Sequence, residues 1–269
     1  MFMSGGSRGI GLAITVRAAR DGAKVALMAK TAEPHPKLPG TVFTAAEEIE
    51  AAGGEALPIV GDIRDAEAVE AAAAQTAERF GGIDLVVNNA SAITLSPMRE
   101  LPVKRFDLMQ QINARGTFVV TQACLPYLRE SEHAHVLTLS PPLSVDRRWL
   151  AGHSAYTLSK MGMTMITLGV AADEAEAGIA ANCLWPRTII ATAAVQNLLG
   201  GDEAMARART PEILADAAHA VLVRDPRSTT GNTFIDDEVL AEEGVTDLSK
   251  YSADDAELAL DLFVEGWPD

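Results

Sequence analysis

Met1-Phe2-Met3-Ser4-Gly5-Gly6-Ser7-Arg8-Gly9-Ile10-Gly11 opens the chain, and its reading decides the fold. Three apolar residues feed a glycine-rich turn, and Ile10–Asp21 behind it has the spacing of an apolar helix. Glycine lets the backbone turn tightly and approach a bound group, while a helix N-terminus offers unpaired N–H groups and a favourable dipole. Strand, turn and helix in that order make a phosphate-binding corner for a dinucleotide. Gly5, Ser7, Arg8, Gly9, Ile10 and Gly11 are the cofactor-binding residues expected of it. A central strand ordinarily has about five or six residues, so the native protein is expected to begin further upstream.

Outward from the turn, short aliphatic and β-branched runs alternate with longer helical patterns. Lys24–Met28, Ala56–Val60, Asp84–Val87, His135–Leu139, Ile179–Leu184 and Asn232–Ile235 read as strands. Ile10–Asp21, Thr44–Ala52, Asp65–Phe80, Val103–Arg129, Ser154–Ala177 and Pro211–Val223 read as helices. Thr210-Pro211-Glu212 has the signature of a helix start: a capping hydroxyl, proline at the first position, then an acid. Such alternation predicts an α/β fold, a doubly wound parallel sheet with right-handed crossovers and helices on both faces. Its ligand crevice opens at the carboxyl ends of the strands. With 48% apolar residues, residues 1–269 are expected to form a single domain.

A net charge of −15 argues against a nucleic-acid-binding surface. No apolar run reaches the length of a membrane span, and no charged leader with an apolar stretch opens the sequence. Cys124 and Cys183 are too few and too far apart for a disulfide framework, which suits a reducing, cytoplasmic location. His133-x-His135, two histidines without the cysteines or further histidines of a metal motif, reads as a surface pair, so no metal site is expected.

Tyr156 and Lys160 stand four residues apart, which on a helix stacks them on one face. A fixed ammonium favours ionisation of a neighbouring phenol, whose free pKa is about 10. A proton donor and acceptor working near neutral pH is then expected. Together with Gly5-x-x-x-Gly9-x-Gly11, Asn88-Asn89-Ala90 and Asn113, this pair resembles the short-chain dehydrogenase/reductase family over nearly the whole chain. Lys30-Thr31-Ala32-Glu33-Pro34-His35-Pro36-Lys37-Leu38 and Leu184-Trp185-Pro186-Arg187 resemble that family's hydroxysteroid dehydrogenase-like branch. Some of its members carry an additional sterol-carrier domain, and none is expected within these residues.

The resemblance implies a Rossmann-type sheet and a nicotinamide dinucleotide. It assigns proton transfer to Tyr156, and to Lys160 the lowering of the tyrosine pKa and a hold on the nicotinamide ribose. Asn113 supports a proton-relaying water. Asp62, with Ile63 beside it, goes to the adenine, and Asn89-Ala90 to the ribose side. For Asn88, hydrogen bonds that brace the sheet are an equal reading. Pro186 and Thr188 follow the sixth strand beside the nicotinamide, where Thr188 could bond the carboxamide. Arg187 adds a positive charge that reads as a structural ion pair, with attraction of an anionic substrate as the other reading. Sites preferring NAD place a carboxylate at the end of the second strand. Here Ala29-Lys30-Thr31 stands there, with Arg8 facing it from the turn. Two cations suit a 2′-phosphate, so NADP is expected ahead of NAD.

The family's carbonyl-polarising serine is less plain. Its fifth strand commonly ends in two serines, whereas Ser140 here runs into Pro141-Pro142, with Ser144 beyond. Proline cannot donate to the ladder, so the strand is expected to end there and free Ser140 for the role, with Ser144 as the alternative. His153 is a further candidate for the pocket wall. Residues 189–210 have the makings of a substrate flap closed by Gly200-Gly201, and their apolar content suggests a lipophilic substrate. Phe118, Val119, Val120, Cys124, Met161, Met163, Met165, Ile166 and Leu168 exceed one sheet-facing stripe, which predicts a homodimer or homotetramer. The expected activity is NADP-dependent interconversion of a hydroxyl and a carbonyl on an apolar small molecule. Reduction of an activated carbon–carbon double bond and a non-catalytic dinucleotide sensor are the alternatives.

Overall fold

The computed structural model of the protein describes residues 1–35, 39–253 and 256–267. Its strands are β1 (Phe2–Ser4), β2 (Lys24–Ala29), β3 (Glu55–Val60), β4 (Leu85–Asn88), β5 (His135–Leu139), β6 (Ala180–Trp185) and β7 (Thr233–Ile235). All pair in parallel, in the order β3-β2-β1-β4-β5-β6-β7. The helices are α1 (Gly9–Ala19), α2 (Val42–Ala51), α3 (Ala66–Phe80), α4 (Val103–Ile112), α5 (Ala114–Leu128), α6 (Arg147–Leu150), α7 (Ser154–Asp173), α8 (Gly201–Ala206), α9 (Glu212–Leu222) and α10 (Asp236–Glu242). The doubly wound α/β sheet read from the sequence is the one observed.

Side-chain alternation explains why both faces need helices. Successive residues of a strand point to opposite sides of the sheet, so Met3, Val25, Leu27, Leu137 and Leu139 enter one apolar layer. Phe2, Ala26, Met28 and Val136, their neighbours in sequence, enter the other. The first layer is completed by α1, α2, α9 and α10 through Ile14, Ile49, Leu214 and Leu240. The second is completed by α3, α5 and α7 through Val69, Val120 and Ala171. Strand order reverses between β1 and β4, where Ser4 lies beside Asn88. A ligand crevice opens at the carboxyl ends of strands flanking such a reversal.

Several element ends differ from the expectation, each for a local reason. The helix expected over 103–129 is two, because Asn113 at the junction has φ −74° and ψ −78°. Its amide accepts from Ala92 N (2.7 Å) and donates to Ala92 O (3.0 Å), so a loop bond replaces the straight helical path. Helix α2 begins earlier than expected because Thr41 and Thr44 form a reciprocal capping box. Thr210 does not cap α9: Pro211 occupies that position, and the Thr210 N–H instead donates to Tyr251 O at 2.7 Å. Helix α7 stops at Asp173, before the Gly178 turn. Among the described residues no helix is long and apolar enough to cross a membrane.

Candidate active site

Gly5 and Gly11 are required by close approach. A Cβ on Gly5 would lie 2.8 Å from Ala90 Cα, and one on Gly11 only 2.5 Å from Asn89 Nδ2. Gly5 also has φ +75°, open to glycine at little cost. Asn89 Nδ2 donates to Gly5 O at 2.8 Å, while the Asn89 and Ala90 N–H groups donate to Ser4 Oγ at 3.2 and 3.3 Å. The turn is thereby tied to the end of β4, with Ser7 and Ile10 within it. Asn88 braces the sheet, donating to Thr121 Oγ1 (2.9 Å) and Thr138 Oγ1 (3.4 Å).

At the end of β2, Arg8 Nη2 donates to Thr31 Oγ1 (3.0 Å) and Gly40 O (2.9 Å). Its Nε is buried with no partner among the described residues. Lys30 reaches Asp62 at 3.3 Å instead of standing free, and Arg64 clamps the same carboxylate through Nε and Nη2. Arg64 first, and then Lys30, hold Asp62 down to about 2 despite partial burial. Ile63 is buried, and a Cβ on Gly116 of α5 would lie only 2.5 Å from its Cδ1. Pro36, Lys37 and Leu38, the end of the branch-like stretch, lie outside the described residues.

Tyr156 and Lys160 sit in the first two turns of α7, against the carboxyl end of β5. Lys160 Nζ donates to Leu139 O at 2.8 Å and lies 5.0 Å above the Trp185 ring. Burial pushes the ammonium down to about 8, opposed by the Asp261 carboxyl. Tyr156 is 5% exposed, and no hydrogen bond reaches its hydroxyl among the described residues. The lowered phenol pKa expected from the sequence is not what this geometry produces. Burial first, and Asp261 second, push Tyr156 up. The reason is the apolar cage of Met109, Met161, Trp185, Ile235, Phe263 and Val264 around it.

Asn113 is fully buried; beyond its Ala92 bonds, its amide donates to Ser159 Oγ at 2.8 Å. Ser140 is also fully buried; Thr164 Oγ1 gives its one proton to Pro141 O at 2.7 Å, so at the 2.9 Å contact between the two hydroxyls Ser140 donates to Thr164 and its proton is committed. Although β5 does end before the prolines, Ser140 is engaged within the interior rather than freed for a ligand. Ser144 is half-buried, and its Oγ accepts from Asp146 N at 3.2 Å, which leaves the hydroxyl proton available. His153 flanks the cage, its ring 6.2 Å from Phe263 and its Nε2 without a partner among the described residues.

Thr188 is fully buried behind Pro186, with no partner for Oγ1 among the described residues. Arg187 is a structural ion pair. Its Nε bonds both Asp237 oxygens at 3.0 Å, Nη2 meets Glu238, and Nη1 donates to Gly266 O at 2.7 Å. Burial raises neighbouring Asp236 to about 7. His133 and His135 are not a surface pair, since His135 is buried. Their Nε2 atoms meet Leu222 O and Arg224 O beyond β5. Residues 189–210 leave and return at one point, where Ala191 N donates to Arg209 O (2.8 Å) and Arg209 N to Ile189 O (3.0 Å). Between those ends, Thr192 Cγ2 approaches Gly9 of the turn. Sequence reading passed over Arg64, Asp261 and Phe263. Arg64 pairs with Asp62 only two residues away but belongs to none of the motifs read, while Asp261 and Phe263 lie at the site about a hundred residues after Tyr156.

The family described as short chain dehydrogenase matches residues 1–202. The chain is 50% identical to hydroxysteroid dehydrogenase-like protein 2 of Xenopus tropicalis over 270 residues, covering all of this chain and 64% of that protein. It thus spans just under two thirds of the length of that curated relative. Among solved structures, a short chain dehydrogenase from Mycobacterium thermoresistibile is 60% identical with TM-score 0.93, covering 98% of this chain and 94% of that one. A blue fluorescent protein from a metagenomic library, in complex with NADPH, is 29% identical with TM-score 0.74, covering 87% and 94%.

Replacing Arg187 by Ala leaves buried Asp237 with only the Arg209 guanidinium, at 3.8 Å, and releases Gly266. The variant is expected to lose about 3–5 kcal/mol of unfolding free energy, read by urea denaturation.

Proposed function

This chain belongs to the short chain dehydrogenase family, and on that premise we propose that it interconverts a hydroxyl and a carbonyl on an apolar small molecule with NADP(H). As a member of that family it is a nicotinamide-dependent oxidoreductase. The observation that carries the finer reading is the placement of Tyr156 and Lys160 at the carboxyl end of β5, with the phenol hydroxyl unbonded inside an apolar cage.

The residues present fit the dinucleotide: the turn leaves no room for a Cβ at Gly5 or Gly11, and Arg8 Nε and Thr188 Oγ1 await partners. Gly5, Ser7, Gly9, Ile10 and Gly11 would cradle the pyrophosphate, and Asn89-Ala90 the ribose side. Arg8, Lys30 and Thr31 would take a 2′-phosphate, with Asp62 and Ile63 beside the adenine. The NADPH complex of one structural neighbour agrees with that preference. Pro186 and Thr188 would receive the carboxamide. When bound, the cofactor gives or accepts the hydride.

Tyr156 moves the proton between its hydroxyl and the substrate oxygen. Lys160 stabilises the phenolate and holds the ribose. Asn113 fixes the loop at Ala92 and supports the route of the proton outward. Ser140 is occupied by Thr164, so Ser144 is the donor to the carbonyl oxygen. Residues 189–210 form the substrate flap. The cage and the relative's printed name, hydroxysteroid dehydrogenase-like protein 2, favour a lipophilic substrate. A second reading, reduction of an activated carbon–carbon double bond, draws on the engagement of Ser140. Phe118 of α5 and Leu158 and Met165 of α7 stay exposed on adjoining helices, which supports assembly as a dimer or tetramer through that face.

Tyr156→Phe is expected to lose at least about a hundredfold in turnover, and Ser144→Ala about a hundredfold, with Ser140→Ala close to wild type. Nicotinamide absorbance over a panel of alcohols, ketones and enones reads all three. Turnover restricted to enones and insensitive to Ser144 would select the second reading. Arg8→Ala is expected to raise KM for NADPH by about tenfold, one charge-assisted bond, while KM for NADH stays level. Paired Phe118→Glu and Met165→Glu changes are expected to yield monomers by light scattering.

A further inference from the structure

Residues 256–267 return across the carboxyl edge of the sheet and lie against the catalytic end of α7. Ala259 O accepts from Ile189 N (3.0 Å), Asp261 N donates to Arg187 O (2.9 Å), and Trp185 Nε1 donates to Leu262 O (2.7 Å). Arg187 Nη1 donates to Gly266 O (2.7 Å), so the backbone is tied down on both sides of Phe263. These ties present one ring to the site. Phe263 is 3% exposed, and its ring centroid lies 6.1 Å from Tyr156 and 5.9 Å from Trp185. Trp149 and His153 flank it at 5.7 and 6.2 Å. All four separations are those of direct aromatic contact.

Two features set this packing apart from an ordinary core. Phe263 has φ +70°, the one positive φ among described non-glycine residues. A bulky side chain adopts that conformation only where its surroundings hold it, and such strain gathers at ligand sites. Trp149 Nε1 and His153 Nε2, on two of the flanking rings, are buried with no partner among the described residues. Polar atoms in a finished core are nearly always paired. The cage therefore closes over Tyr156 against backbone strain and with polar atoms left idle.

Proton transfer needs a substrate oxygen against the Tyr156 hydroxyl, yet Tyr156 is only 5% exposed. A substrate has to enter where the cage now closes. Tyr156 stands on α7 and Trp185 on β6, whereas Phe263 lies outside every helix and strand, so Phe263 is the ring that can yield. We propose that Phe263 is a specificity-determining residue: it walls the cage over Tyr156, gives way to an incoming substrate, and packs against the apolar group beside the reacting carbon. The inference rests on the Tyr156 reading above and deepens it by assigning the size limit of the substrate to this residue. The space the phenyl ring fills is that of one six-membered ring, so a ketone larger by one fused ring competes with it directly.

Cyclohexanone and 2-decalone, which differ by one fused ring, test this with NADPH. Phe263→Gly frees the volume of the ring and suits the positive φ. In that variant the ratio of kcat/KM for 2-decalone over cyclohexanone is expected to rise about tenfold, through KM rather than kcat. Phe263→Leu is expected to give a smaller rise, with KM for NADPH level in both variants. A side chain that only supports the fold would lower both ketones alike, and an unmoved ratio overturns the proposal. If Phe263→Gly does not fold, Phe263→Leu decides by the same ratio. If neither ketone is turned over, their affinities for the NADPH complex, read by tryptophan fluorescence, decide instead. An unmoved affinity ratio, or no binding of either ketone to wild type and variants, then overturns it. An active Tyr156→Phe variant beside a shifted ratio would sink the catalytic reading alone. An unmoved ratio beside an inactive Tyr156→Phe would sink only the role of Phe263.

Discussion

A buried ammonium must find partners inside the protein, because burial removes the water that would otherwise hold its charge. Lys160 is 3% exposed, and much of the upper edge of the sheet is arranged around it. Leu139 O at the end of β5 accepts a hydrogen bond from Nζ, the Trp185 ring at the end of β6 lies beneath the charge, and the Asp261 carboxyl opposes the effect of burial. Each partner comes from a different part of the chain. The lysine therefore joins two central strands, α7 and the C-terminal segment.

The second constraint is steric, at the other end of the crevice. The turn after β1 and the end of β4 approach so closely that Gly5 and Gly11 have no room for a side chain. The reversal of strand order between β1 and β4 makes that approach possible, and Asn89 secures it with a bond to Gly5 O. The Tyr156–Lys160 pair and the glycine turn thus open on one side of the sheet because every strand runs parallel. Carboxyl ends then face the same way.

The sequence was legible where short-range pattern carries the physics. Alternating periodicity gave the strands to within about two residues, since a strand buried on both faces needs aliphatic runs and a crossover needs a helix. It failed where a distant group decides. The break at Asn113 depends on Ala92, the idle Thr210 hydroxyl on a backbone carbonyl of Tyr251, and the burial of Ser140 on Thr164. His135, read as exposed, is an interior residue of β5 because α9 ends over it. Lys30, read as free, meets Asp62 across neighbouring strand ends.

By itself the sequence determined the α/β class, the glycine turn, and the placement of Tyr156 and Lys160 on one helical face, because spacing of a few residues sets all three. Only the tertiary structure decided the electrostatics of that pair. It buries the phenol under Phe263, ties Ser140 away, and lays Leu262 and Phe263 against Trp185 and Tyr156 from the far end of the chain. Burial and charge depend on what lies nearby in space, and residues a hundred positions apart become neighbours only when the sheet and the C-terminal residues 256–267 are assembled.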